Sequence, residues 1–130
     1  MSHPLVHNLR FARSEFQRCL AGVSPADAII RLGPSNCISW IVGHLAWQEN
    51  LYWVIRGQGR DAAPGLEELV GFGKPASTPP LDEMWAAWRA VTAAADVYLD
   101  ALTPATLLTC PPSLHDGESV GTKLLRNTYH

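Results

Sequence analysis

The stretch from Ser35 to Ile55, SNCISWIVGHLAWQENLYWVI, constrains the fold of this chain more than any other segment. Its apolar residues recur at helical spacing, and three tryptophans widen the apolar surface beyond a single face. We predict a long helix here, capped by Ser35 or Asn36, that runs to about Arg56 and is covered on more than one side. Polar residues interrupt the stretch too often for a membrane span, which favours a core helix.

Three further segments carry helical apolar stripes. The first predicts a helix from about His3 to Leu20, with Arg13 on its solvated face. The motif Thr78-Pro79-Pro80, with Thr78 as a possible cap, starts a helix that continues to Leu102. A last helix begins at Ser119 and reaches His130, the end of the sequence.

Short helices and loops connect these segments. Ser24 can cap a short helix that reaches about Arg31. The region from Gly57 to Ser77 reads as a long loop with a helical turn at 66–70, and a second connection extends to about Glu118. No alternating β pattern competes. We therefore expect one all-α domain over residues 1–130, an antiparallel four-helix bundle with long connections whose fourth helix is only begun.

Composition limits the function. The 130 residues are 47% hydrophobic and carry a net charge of −2, with no basic patch of the kind that binds nucleic acid. The N-terminus lacks a secretory signal, so we expect a cytoplasmic protein without a membrane segment. The three cysteines are widely spaced, which predicts buried small apolar residues rather than a disulfide or a CxxC metal site.

His44 is the best single candidate for a functional side chain. It lies on the apolar helix with Trp40 and Trp47 one turn away on either side. A buried imidazole must find a partner or stay neutral. From the residues alone, a hydrogen-bonded core histidine is the more common outcome, and a ligand of a bound group is the alternative.

The C-terminal sequence LLRNTYH carries no capping residue, no glycine and no polar tail. A helix of about a dozen residues is marginal without packing. We therefore expect that the chain is cut short within its last helix.

The chain resembles the DinB/YfiT-like superfamily of helical bundles, which includes thiol-dependent transferases. The resemblance rests on SNCISWIVGHLAWQENLYW, on LAGVSPADAIIRLGP and on LLRNTYH, and it spans essentially the whole sequence. It implies a divalent-metal site, often nickel or zinc, built from one histidine of the second long helix and two of the last helix.

Within that resemblance, His44 matches the second-helix ligand and His130 matches the first of the late histidines. The second late histidine would fall beyond the end of this sequence. The resemblance therefore implies Zn or Ni bound weakly or not at all by this chain, a small-molecule thiol as partner, and a homodimer. The activity would be thiol-dependent S-transfer or metal-dependent hydrolysis. The alternative is a non-catalytic structural or dimerising bundle in which His44 is a core histidine.

Other candidates are weaker. We expect Glu49 to be solvated or capping, because it points away from His44 on a helix. Gln48, one turn from His44, is a possible supporting hydrogen-bond partner. His3 and His7 could hold adventitious metal, but surface histidines without a role are the expected outcome. The turn from His115 to Glu118 could approach the bundle mouth, but a plain polar turn is expected. Cys37 lacks an identifiable activating partner for a catalytic thiol. The remaining aromatic candidates are expected to be core residues: Trp40, Trp47, Trp53, Trp85 and Trp88.

Overall fold

The computed structural model describes residues 2–115 and 117–130. Helices account for most of this part of the chain and no strand is found in it, which confirms the all-α prediction. The α-helices are α1 (Pro4–Cys19), α2 (Pro25–Ala28), α3 (Ile38–Glu49), α4 (Leu66–Val70), α5 (Leu81–Asp100), α6 (Pro104–Leu107) and α7 (Val120–Thr128). A 3-10 turn at Pro112–Leu114 lies between the last two.

Local sequence explains most of the helix starts. The Ser24 hydroxyl accepts the backbone N–H of Asp27 at 3.1 Å, and Ser119 accepts that of Thr122 at 3.1 Å, as N-capping residues do. The predicted caps of α3 and α5 are wrong. α3 begins after Cys37 and α5 after Pro80, and neither residue makes a side-chain capping bond.

α3 continues without a break into a π-helical segment at Asn50–Arg56. The wider turn is supported by a side chain, because the Gln58 amide donates to the carbonyl oxygens of Trp53 at 2.7 Å and Ala94 at 2.9 Å. Segments of this kind are rare and often occur at functional sites. The predicted helix over this stretch is thus present, with a change of helical type in its second half.

Four long helical segments form the bundle: α1, α3 with its π-helical extension, α5 and α7. α1 runs antiparallel to α5, since Arg10 pairs with Asp100 and Phe16 stacks on Trp88. α3 and α5 run in the same direction, because Gly43 lies against Met84 and Gly57 against Tyr98. The long connection from 57 to 80, which contains α4 as predicted, is the crossover that this parallel pair requires.

Two apolar clusters make up the core. One joins α1, the π-helical segment, the end of α5 and α7, and includes Val6, Trp53, Leu99 and Leu124. The other joins α2 to α5 and includes Trp40, Trp47, Met84 and Trp88. The tryptophans predicted for the core are therefore buried, apart from Trp85, which is half-buried. His44 lies on α3 beside Trp40 and Trp47 of the second cluster.

Two expectations about single residues are wrong. Arg13 is buried instead of solvated, because two carboxylates of neighbouring helices pair with it. Of the three cysteines only Cys37 is buried, whereas Cys19 and Cys110 are exposed. Cys19 is the last residue of α1.

Candidate functional site

His44 is held in one orientation on α3. Its ring stacks on Trp40 with centroids 4.7 Å apart and planes within 13°, and the ring centroid of Trp47 lies at 5.1 Å. Its Nδ1 lies 2.7 Å from the backbone carbonyl oxygen of Val70 in α4. A carbonyl only accepts, so Nδ1 carries the proton and donates it. The Nε2 atom of neutral His44 is then left with a free lone pair.

The structure brings His130 to that free atom. His130 follows the end of α7, and its Nε2 lies 3.2 Å from Nε2 of His44. Burial lowers the pKa of His130, and the charge of a protonated His44 lowers it further. The residues that sequence reasoning singled out, 86 positions apart, are therefore neighbours.

A hydrogen-bond chain ties α7 to the π-helical segment close to this pair. The Trp53 indole N–H donates to Asn127 Oδ1 at 2.7 Å, and Asn127 Nδ2 donates to Gln48 Oε1 at 3.0 Å. Gln48 therefore supports α7, while the carbonyl that orients His44 comes from Val70. Sequence spacing could not reveal Val70, because the long crossover carries it to α3.

The spacing of the two Nε2 atoms suits a shared metal ion. Two imidazoles bound to tetrahedral zinc at about 2.0–2.1 Å place their nitrogens about 3.3 Å apart. The observed separation is 3.2 Å. A carbonyl bound to the far nitrogen is the usual support of a metal-ligating histidine. Within residues 2–115 and 117–130, no group of three or more His, Cys, Asp or Glu side chains could hold a metal ion. His44 and His130 are thus two side chains that could contact one ion.

Glu49 has a different role from the one expected. It is buried, and both of its carboxylate oxygens accept hydrogen bonds from the Arg13 guanidinium. Burial raises the pKa of Glu49, and the positive charge of Arg13 opposes that rise. Asp96 of α5 accepts a further bond from Arg13 at 2.7 Å. No local sequence pattern indicates this contact, since the partners lie on three helices.

Arg13 and Glu49 also line one of two cavities that meet at His130. This cavity, of about 340 Å³, lies between α1 and α3 and is mostly apolar, with Phe16, Leu45 and Trp88 in its walls.

The second cavity is a polar cleft of about 670 Å³ between α7 and the α3–π helix. We call it the polar cleft, and its lining residues are Gln48, Tyr52, Glu118, Lys123, Arg126, Tyr129 and His130. Sequence reasoning missed Lys123 and Arg126, which read as ordinary charges of a short amphipathic helix.

Two buried donors flank His44. The indole N–H groups of Trp40 and Trp47 have no hydrogen-bond partner in the part of the chain that the structure describes. Such groups carry a desolvation cost and are uncommon in folded proteins. Local departures of this kind from ordinary hydrogen bonding are typical of functional sites.

The remaining candidates do not join this site. His7 and His115 are exposed, and the Nδ1 of His3 accepts the backbone N–H of Leu5 at 3.2 Å. In the predicted polar turn Asp116 lies outside the described residues, while Glu118 lines the polar cleft. Cys37 is buried, with its Sγ 3.4 Å from the carbonyl oxygen of Ser77.

No helix in the described ranges combines the length and the apolar character needed to cross a bilayer. No curated protein sequence matches the chain. The family described as MST, Mycothiol-S-transferase, matches residues 4–126, a range that contains the first three bundle segments whole and α7 as far as Arg126. The DinB/YfiT-like resemblance is thereby confirmed, and the chain belongs to the mycothiol S-transferase family, within the DinB-like superfamily.

Proposed function

We propose that this protein is a metal-dependent S-transferase that joins a small-molecule thiol to a second substrate. In this proposal His44 and His130 are two ligands of a divalent cation, zinc or nickel. The observation that carries it is the convergence of the two Nε2 atoms, 3.2 Å apart, with the far nitrogen of His44 bound to a carbonyl. Imidazole nitrogen suits both metals.

When bound, the cation would act as a Lewis acid that favours the thiolate form of the substrate, which is the reactive nucleophile. The protein's own contribution is orientation. Val70 fixes the tautomer of His44, and the stacked ring of Trp40 restricts its rotation. The lowered pKa of His130 keeps that imidazole neutral, so its lone pair stays available near neutral pH.

Access to the two histidines supports a reaction between two substrates. His130 lines both the apolar cavity and the polar cleft, so a group held between the histidines can be approached from either side. A pair of protein ligands leaves coordination positions for water or a thiol sulfur. The hydrolytic activity that the wider superfamily suggests would use the same open positions.

The alternative function is a non-catalytic structural or dimerising bundle in which His44 is a core residue. The stacking of His44 between two tryptophans fits that role equally well. The second histidine can serve that role too, because its N–H can donate to the free nitrogen of His44, so metal content is what separates the two functions. A homodimer is compatible with either function and stays a proposal.

Metal analysis and a transfer assay test the proposal. Protein prepared without an affinity tag is loaded with Zn²⁺ or Ni²⁺, desalted and analysed for metal, and mycothiol transfer to a fluorogenic electrophile is then followed. We expect His44→Ala and His130→Ala each to lower metal content and activity together. His7→Ala is the matched control, because His7 is exposed on α1. Equal metal content in all four proteins, or full activity of His44→Ala, would refute the proposal.

A further inference from the structure

Arg13 is a buried cation with hydrogen-bonding capacity that its own partners do not use. Its side chain is 9% exposed, its Nε and Nη2 donate to Glu49, and its Nη1 donates to Asp96. A guanidinium carries one hydrogen on Nε and two on each terminal nitrogen. One hydrogen of Nη1 and one of Nη2 therefore have no acceptor in the part of the chain that the structure describes. Unused donors at such depth are uncommon in folded proteins.

The apolar cavity between α1 and α3 is the space that these hydrogens can serve. Arg13 and Glu49 lie in its wall, and both oxygens of Glu49 already accept from Arg13. The uncharged polar side chains of the wall are bonded as well. Asn127 uses both ends of its amide, and the Thr128 hydroxyl donates to a backbone carbonyl at 2.9 Å. Besides His130, the wall therefore offers a ligand the hydrogens of Arg13.

The charges around Arg13 favour a neutral ligand. Two arginines and three carboxylates form one network: Arg10, Arg13, Glu49, Asp96 and Asp100. An anion in the cavity would find no surplus of positive charge in this network. A cation would lose its hydration in a mostly apolar cavity whose carboxylate is already paired. An uncharged oxygen acceptor satisfies the hydrogens of Arg13 without adding a charge.

The rest of the wall fits a flat apolar molecule. The rings of Phe16 and Trp88 stack there with centroids 5.3 Å apart and planes within 28°. Leu9, Ile41 and Leu45 add aliphatic surface. The cavity holds about 340 Å³, within the range of about 300–1,000 Å³ that is typical of small-molecule sites. A small aromatic ketone combines this shape with a single oxygen acceptor.

We propose that the apolar cavity binds the second substrate of the transfer reaction, and that Arg13 selects neutral, mainly apolar molecules that carry a carbonyl oxygen. Arg13 is then a specificity-determining residue, whose unused N–H groups hold that oxygen and orient the molecule. Binding in the cavity needs no metal. The identification of the ligand as the second substrate rests on the proposed function, because His130 belongs both to the cavity wall and to the histidine pair.

Two ligands of the same shape test the role of the oxygen. Acetophenone carries a carbonyl oxygen, and α-methylstyrene has a CH₂ group in its place. Their affinities for the metal-free protein are measured by NMR titration of the amide and methyl signals. We expect both ligands to shift signals of α1 and α3 around the cavity. Acetophenone should bind about tenfold tighter, because its oxygen accepts a hydrogen bond from a charged donor.

The double variant Arg13→Met, Glu49→Leu removes the donors and leaves no unpaired charge in the cavity. It should bind acetophenone and α-methylstyrene with similar affinity. Ala12→Phe tests the cavity without touching the ion pair, because Ala12 lines the cavity and the added ring fills part of it. Neither ligand should bind this variant. Ala93→Phe is the matched control, since Ala93 is exposed on α5, and it should bind both ligands as the wild type does.

A competition experiment tests the assignment to the second substrate. With the metal-loaded protein, acetophenone should raise the KM for the fluorogenic electrophile and leave kcat unchanged, because both molecules would occupy the apolar cavity. A lowered kcat at unchanged KM would overturn this assignment.

The two proposals can fail separately. Equal affinity of the wild type for the two ligands, or a preference for acetophenone that survives in the double variant, would overturn the role of Arg13. Shift changes outside the cavity would overturn the site itself. His44→Ala should bind acetophenone as the wild type does, because His44 lies outside the cavity wall. If His44→Ala keeps its metal and activity while the preference depends on Arg13, the cavity stands and the metal site is wrong.

Discussion

Replacing Glu49 with Gln should destabilise the fold by about 3 kcal/mol. Removing one partner of a buried ion pair typically costs about 3–5 kcal/mol. The lower end applies here because Arg13 would keep its bond to Asp96 at 2.7 Å. An unfolding entropy of about 2.1 cal/mol/K per residue gives about 0.27 kcal/mol/K for this chain length, so Tm should fall by about 11 °C.

Thermal unfolding followed by circular dichroism measures this change. Glu15→Gln is the matched control, because Glu15 also pairs with an arginine but at the surface, where such a pair adds little to stability. The double variant Arg13→Met, Glu49→Leu should recover most of the lost stability. A Tm of Glu49→Gln within about 2 °C of wild type would refute the reasoning.

Three further predictions concern the histidine pair and its supports. Asn127→Leu should lower Tm by several degrees, since it leaves the buried Trp53 N–H unpaired. It should also weaken metal binding at His130, which calorimetric titration with Zn²⁺ measures. By NMR, His130 should titrate below its ordinary pKa of about 6.5, and less so in His44→Ala. The contribution of His130 to the free energy of unfolding should fall as the pH drops from 7 through the pKa that His130 has in the unfolded chain, because only the unfolded chain then gains the proton. The fall should level off below the pKa of His130 in the folded protein. Gly43→Ala should destabilise the fold although alanine has the better helix propensity, because the added Cβ would collide with the Met84 sulfur. The double variant Gly43→Ala, Met84→Ala should recover part of this lost stability, as measured by denaturant titration.

Much of the fold follows from local sequence. The apolar periods of α1, α3 and α5 mark their helices, and Ser24 and Ser119 mark two of the starts where side-chain caps form. The caps of α3 and α5 were wrong because capping chemistry is common in loops, and tertiary packing decides which residue begins a helix. The π-helical segment is supported by the bond from Gln58 to the Ala94 carbonyl of α5, a long-range contact with no local signal.

The site was predictable only in part. His44 and His130 were found from the resemblance and from an imidazole in an apolar helix, and the structure places them side by side. The sequence predicts solvated positions for Arg13 and Glu49, because helical spacing alone cannot show that residues 36 positions apart will pair. The polar cleft was missed for the same reason, since its side chains come from separate segments.

The central claim is that His44 and His130 bind one metal ion through their Nε2 atoms. The most direct measurement is a Zn²⁺ titration of tag-free protein followed through the imidazole ¹⁵N and ¹H signals. The account predicts that the Nε2 signals of both histidines shift along one binding curve while the Nδ1 proton of His44 stays bound to the Val70 carbonyl. Zinc that perturbs only the N-terminal pair His3 and His7, or neither histidine of the site, would contradict it.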